Sequence, residues 1–227
     1  MSYIITQTQA AQYISDMLGV SNLKTVAKNI ALGGTFLSPI LPVASGNGLI
    51  FWMNAEGNGS SYDFFTAYQE YPDPRSKINN RLPVGNQQLY QPGETFVYTP
   101  TSTDIATVEN FLSNQNTGVA PSSSTITQQK VKDNVREYVK VFPKDSEGYP
   151  YSDRAFAFFV AQDSVGDLHT LLSQPGATGL RYFIGFDQSA DPEPINRLRI
   201  IFCAVDSTGS NILTGGPALF LQKGEPK

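Results

Sequence analysis

Reactive side chains are scarce in this sequence. It has one histidine and one cysteine in 227 residues. His169 follows Asp163 and Asp167. An imidazole beside a carboxylate is the arrangement of a general base. A hydrolase built on His169 would also need a serine nucleophile, and no Gly-x-Ser-x-Gly elbow is present. The plainer reading is a helix-surface histidine near the rim of the core. Cys203 lies in the most apolar run of the chain, Ile200 to Val205. A thiol must ionise to attack, and burial opposes ionisation, so Cys203 reads as a small hydrophobe.

Asp187, Asp191 and Glu193 crowd one predicted turn. Their oxygens suit calcium, but EF-hand spacing is absent, and Arg197 and Arg199 follow closely. A solvated acidic turn is the simpler account. Arg181, Arg197 and Arg199 would form an anion site if their strands pair. The alternative is half-exposed arginines on a sheet, balanced by those same acids. Trp52, Tyr62, Phe64, Phe65, Tyr68 and Tyr71 are the densest aromatic cluster. Such rings bind sugars or a partner when they line a loop rim, and otherwise build core. The glycine-rich segments match neither a phosphate loop nor a dinucleotide fingerprint. No catalytic, cofactor-binding or metal-binding residue is therefore assigned, and no cofactor is expected.

The elements that would position these groups are clearest from Asp163 to Asp206. A helix is predicted to open at Ser164 and close at Pro175-Gly176, with Val165, Leu168, Leu171 and Leu172 on one face. Two strands follow, Gly179–Phe186 and Arg197–Val205, and the short polar link makes them antiparallel neighbours. Ile184, Ile200, Phe202 and Leu171 should be nearly inaccessible.

Earlier in the chain, Thr6 and Gln9 fit a capping box before a helix whose stripe is Ala10, Ile14, Met17 and Leu18. A second helix is expected from Ser21, with Gly33-Gly34 as its stop. Leu49–Asn54 reads as a strand, Glu56–Ser60 as a turn, and Ser61–Tyr71 as the return strand, with a short helix as the alternative. Pro72–Gly93 has no period and reads as a long irregular loop, followed by a strand from Glu94 to Thr99. Thr103–Leu112 is a predicted helix, Ser113–Ser124 is linker-like, and Thr125 opens a helix with Val131, Val135, Tyr138 and Val139 on one face. Ala155–Ala161 reads as a strand.

Ile5-Thr6-Gln7 can be laid over Ile126-Thr127-Gln128, a shift of 121 residues, and Gly48–Met53 over Gly179–Ile184, a shift of 131. Either two amphipathic helices align by chance, or the chain is an internal duplication of helix-helix-hairpin halves. The expected fold class is α+β, with helices packed on antiparallel sheet. The expected organisation is an N-terminal α+β half (1–112, with the irregular loop 72–93), a linker-like segment (113–124) and a C-terminal α+β half (125–227).

Composition narrows the function classes. Hydrophobic residues are 40% of the chain, enough for a core, and charged residues only 16%, against roughly 25% in an average soluble domain. A weakly charged, amide- and hydroxyl-rich surface suits adhesion and assembly. A net charge of −4 gives no footprint for nucleic acid. One cysteine forms no internal disulfide. No apolar run is long enough to span a membrane, and the N-terminus has no signal-peptide pattern. A cytoplasmic protein is expected, with export by a non-classical route left open. The sequence therefore points to a non-enzymatic structural or protein-interaction protein that self-assembles or takes a protein partner. The alternatives are a hydrolase using His169, or a carbohydrate- or ligand-binding module using the aromatic cluster near Trp52. In the assembly reading, Pro72–Gly93 and at least one terminus lie at an interface.

Overall fold

The computed structural model describes residues 4–19, 31–37, 48–57, 62–71, 88–98, 103–141, 157–160, 162–187, 198–213 and 219–223. In chain order the strands are β1 (Ile4–Ile5), β2 (Ala31–Leu37), β3 (Gly48–Gly57), β4 (Tyr62–Tyr71), β5 (Leu89–Pro92), β6 (Glu94–Tyr98), β7 (Ser123–Ile126), β8 (Ala157–Val160), β9 (Gly179–Phe186), β10 (Leu198–Val205), β11 (Asn211–Ile212) and β12 (Leu219–Lys223). The helices are α1 (Gln7–Gly19), α2 (Ile105–Asn114), α3 (Gln128–Val141) and α4 (Gln162–Leu172). The fold is α+β, with helices on antiparallel sheets.

Two sheets form the middle of the molecule. The first runs β1-β12-β10-β9-β2-β6, with β11 beside β10. The second runs β7-β5-β4-β3-β8. Alternation decides what each face buries, because successive side chains leave a strand on opposite sides. Leu49, Phe51 and Met53 of β3 meet Leu180, Tyr182 and Ile184 of β9 in the core between the sheets. The Phe51 and Phe202 rings are 5.2 Å apart across that core. The opposite side chains of β9 and β10, Phe183, Ile201 and Cys203, are covered by α1 and α2. Those of β3 and β4, Ile50, Trp52, Phe65 and Ala67, lie with Val131 and Val135 of α3. The order of layers is helix, sheet, sheet, helix. Helix α4 inserts Val165, Leu168 and Leu171 into the central core.

Local chemistry explains the helix starts. The Thr6 amide donates to Gln9 Oε1 at 2.9 Å, and the Gln9 amide donates to Thr6 Oγ1 at 3.2 Å. This is the reciprocal capping box expected from the sequence. The Thr127 hydroxyl accepts from the Lys130 amide at 3.2 Å at the start of α3, and Asp104 accepts from the Thr107 amide at the start of α2. Ile184, Ile200, Phe202 and Leu171 are at most 1% exposed, as expected.

Each sheet draws strands from both sides of residues 115–122, and the two share a strand order. Reading β8-β3-β4-β5-β7 beside β2-β9-β10-β12-β1 sets elements of the same kind side by side. The registers agree as well. One row across the second sheet is Phe158, Phe51, Tyr68, Tyr90 and Thr125. The matching row of the first sheet is Gly34, Tyr182, Phe202, Phe220 and Ile4. Tyr182 follows Phe51 by 131 residues and Thr125 follows Ile4 by 121. These are the same two shifts that align the hairpin strands and the helix stripes.

Several expected boundaries differ. Gly33 and Gly34 stop no helix: they lie inside β2, in register with Phe183 and Tyr182, where pairing with β9 overrides the local preference of glycine for a helix end. Helix α3 begins after Thr127, because Thr125 and Ile126 belong to β7 and pair with Tyr90 and Leu89. Helix α4 begins two residues before Ser164. The end of the expected irregular loop is strand β5, held between β4 and β7. The linker-like segment is pinned: Gly93 N donates to Ser122 O, Thr117 N to Gly209 O, and β7 completes a sheet edge. The expected turn Glu56–Ser60 starts later than its glycines suggest, because Glu56 and Gly57 belong to β3 and pair with Asp63 and Tyr62. The expected helix at 21–30, residues 58–60 and residues 72–87 lie outside the described residues. Among the described residues, no helix is long and apolar enough to cross a membrane.

Candidate functional site

The densest polar constellation among the described residues lies where β9, β10 and the turn 206–210 meet the end of α2. Arg181 is fully buried on β9, opposite Cys203 of β10. Its Nη2 donates to Gly209 O at 2.8 Å, and its Nη1 donates to Asn211 Oδ1. The Cys203 thiol also donates to Asn211 Oδ1, at 3.3 Å. Asn211 Nδ2 in turn donates to Leu112 O at 2.9 Å, and its backbone amide to Gln115 O at 3.2 Å. Those two carbonyls belong to the end of α2, where intrahelical donors run out. One asparagine thus links a buried guanidinium, a buried thiol and a helix end.

The turn that carries this asparagine is locally determined. Asp206 accepts from Thr208 N, Thr208 Oγ1 and Ser210 N at 2.7–2.9 Å. Burial works against ionisation of Asp206, but those hydrogen bonds, with Arg181 nearby, hold its carboxyl below the usual carboxylate range. Gly209 has φ +80°. A Cβ there would stand 2.1 Å from Thr117 Oγ1 and 2.6 Å from Val119 O. Only glycine lets the 115–119 loop close over the turn.

A second cluster sits under α1. Arg199 Nη2 donates to Asp187 Oδ2 at 2.8 Å, and the two side chains are only 7% and 11% exposed. Tyr13 of α1 crosses β9 at Gly185, where an added Cβ would meet the Tyr13 Cβ at 2.8 Å. Burial raises the Tyr13 hydroxyl above its ordinary value. Asp187 adds to the rise, Arg199 opposes it and Asp16 adds to it.

These positions correct two expectations. Arg181 and Arg199 are not half-exposed: both are buried, and Arg199 is matched by one of the acids that follow its strand partner. Nor do the two converge on an anion. Arg181 pairs with Cys203 and Arg199 with Gly185, four residues apart along the ladder, or roughly 13 Å at the strand rise. Asp191, Glu193 and Arg197 lie outside the described residues, so the acidic turn is represented by Asp187 alone.

Cys203 is 0% exposed, and burial pushes its thiol from 9.0 to about 12, with Arg181 pulling the other way. It is a protonated packing residue at neutral pH. His169 is half-buried on α4, and Asp167 precedes it by two residues on the same helix, a spacing that does not bring side chains face to face. Trp52 is 0% exposed and Phe65 8%. Both lie beneath α3 rather than at a loop rim. Phe51 and Tyr68 face the central core instead. Among the described residues, no three His, Cys, Asp or Glu side chains converge where a metal ion could be held.

Sequence reasoning missed Asn211 and Tyr13. The Asp206–Ser210 turn signature was legible, but Asn211 acquires its role from residues 30 and 99 positions away. Chemically, both clusters hold elements in place: each buried charge is matched by a fixed carbonyl, amide or carboxylate. Comparison with protein-family models, curated proteins and solved structures finds no match to this chain.

Proposed function

We propose that this chain is a non-enzymatic structural or protein-interaction protein, built from two equivalent halves and working as a homo-oligomer or with a protein partner. One observation carries the reading. The groups best able to do chemistry, Arg181, Arg199, Asp187 and Cys203, are enclosed and committed to holding sheets, turns and helix ends together. A thiol pushed to about 12 is a poor nucleophile at neutral pH, and a buried arginine bonded to a backbone carbonyl has little left for a substrate.

The exterior is consistent with a partner other than nucleic acid or membrane. The outer side of α3 mixes Lys130, Arg136 and Lys140 with Asp133 and Glu137, paired as Asp133–Arg136, Glu137–Lys140 and Glu56–Lys130. That pattern forms no basic track for phosphates. The outer sides of α1 and α2 carry mainly amides and hydroxyls, and Gln7 ties the two helices together through Glu109 O and Ser113 Oγ.

The two halves are supported by matched strand order and matched register, with paired positions offset by 124, 131, 134, 130 and 121 residues along the two rows. Met17 of α1 and Tyr138 of α3 are counterparts under the helix shift, and both reach the central core. Chance alignment of two helices does not account for the shared order of ten strands, five in each sheet.

The test is the mass of the purified chain by size exclusion with light scattering at about micromolar concentration. A defined multiple of the chain mass, or a stable complex with a captured protein, supports the reading. Turnover of a hydrolase probe that His169→Ala abolishes would replace it.

A further inference from the structure

The two halves do not each build a sheet. Strands β3, β4 and β5 of the first half form a meander that is completed by β7 and β8 of the second, with α3 covering it. The meander β9, β10 and β12 of the second half is completed by β1 and β2 of the first, with α1 covering it. Each half therefore lends a strand-helix-strand unit to the other. The exchange is deep: β2 meets β9 over five residue pairs, β8 meets β3 over four, and β7 meets β5 over four. The central core lies between the two meanders, one from each half. A half on its own would leave β3 and β5, or β9 and β12, as open edges, with both faces of a three-stranded sheet in water.

We propose that the molecule is a covalently joined strand-exchanged pair, and that its halves still recognise each other between chains. The partner is a second copy of this chain: residues 123–223 of one copy dock on residues 4–92 of another. This rests on the reading of two equivalent halves. The surface concerned consists of the outer edges of the two meanders and their uncovered faces. Every contact that stabilises the pairing within a chain is available between chains, so only connectivity separates the two forms. The connection from Asn114 to Ser123 is short and lies at the surface, with Gly118, Val119 and Ala120 exposed. In the unfolded chain, before its hydrogen bonds to Gly209 and Gly93 form, this short connection is flexible and confers an effective concentration on the order of millimolar. Within-chain pairing therefore dominates at about micromolar concentration. Between-chain pairing takes over when refolding occurs near that effective concentration, or when the connection is too short to close.

Two experiments on the full chain test this. In the first, the protein is unfolded in denaturant and refolded at about micromolar and near-millimolar concentration, alongside a variant lacking Gly118–Ala120. A closed species of twice the chain mass is expected at high concentration, and at all concentrations in the shortened variant. In the second, a chain carrying Ile14→Asp, which spoils the α1 contact, is co-refolded with one carrying Val135→Asp, which spoils the α3 contact. Exchange between them assembles one body with both lesions and one with neither. A melting transition at the wild-type temperature should appear in the mixture and in neither chain alone. Absence of that transition together with unchanged mass overturns the proposal. A native oligomer that forms without such rescue also overturns it, while leaving the assembly reading of the previous subsection intact.

Discussion

The outer faces of the two sheets meet the same geometric problem with different chemistry. On the second sheet, Ile50, Phe65 and Gln69 occupy the positions that Arg181, Arg199 and Cys203 hold on the first. The second sheet meets α3 with Ile50, Trp52, Phe65 and Ala67, and Val131 and Val135 of the helix pack on them. The first buries two arginines under α1 and α2 and matches each with a fixed oxygen. The difference follows from what each face must hold. Helix α3 rests on a mainly apolar bed in which Asn54 and Gln69 are the buried polar side chains of the sheet, and neither carries a charge. The first sheet must also anchor a second helix, the 206–210 turn and the 115–119 loop. Hydrogen bonds to buried groups give these attachments direction, which non-directional apolar packing does not.

If that contrast is right, the largest effect comes from emptying either apolar bed. Trp52→Ala under α3 and its counterpart Phe183→Ala under α1 should each cost about 3–5 kcal/mol, read from chemical denaturation. A small loss at only one of them would show that the two faces are not alike in packing.

Breaking the buried ion pair comes next. Asp187→Ala leaves Arg199 buried with its carboxylate removed and should cost about 3–5 kcal/mol, whereas Asp187→Ala with Arg199→Phe, which imports the solution of the second sheet, should recover most of that loss. If the double variant is no better than the single one, the pair holds more than itself.

Asn211→Ala removes the acceptor shared by Arg181 and Cys203 and the donor to Leu112 O, and should cost about 2–3 kcal/mol. Hydrogen exchange should rise at the end of α2 and in residues 115–119 while the amides of β3 and β4 stay protected. Uniform loss of protection would argue against a local pin.

Titration separates the faces without mutating a bed. The Cys203 thiol on the outer face of the first sheet is raised from 9.0 to about 12, mainly by burial. A raised pKa means the folded state holds the proton more tightly. The stabilisation is therefore complete below about pH 9 and is lost as pH climbs from there towards 12. Cys203→Ala should remove the part of the alkaline decline that begins near pH 9. Thiol reagents should label the native protein at neutral pH only as fast as it opens. Gln69, the counterpart of Cys203, does not titrate in this range.

The smallest effect is expected at the surface. Glu56 and Lys130 are 2.6 Å apart, but their side chains are about half exposed, so Glu56→Gln should change stability by about 0–1 kcal/mol.

Much of this was legible in the residues. Thr6 and Gln9 announce a capping box because the contacts lie within one helical turn. Val165, Leu168 and Leu171 announce a buried face because helical period fixes which side chains share a side. The unbroken run from Ile200 to Val205 announces a strand covered on both sides, and the structure covers it so. Local chemistry also misled. Gly33-Gly34 looked like a helix stop because glycine ends helices, yet β9 captured it as a strand. Thr125 looked like a helix start because Thr127 caps one, yet pairing with β5 drew Thr125 and Ile126 into a sheet edge.

By itself, then, the sequence determined the α+β class, the amphipathic faces, the caps, and the two spacings of 121 and 131 residues that recur in the sheets. The tertiary structure alone decided which strands complete which sheet, because strand edges offer the same backbone donors and acceptors to any strand that approaches. It alone also decided that Arg181 and Arg199 are buried. A guanidinium can lie in the interior only where oxygens distant in sequence, at Gly209, Asn211 and Asp187, are brought to meet it.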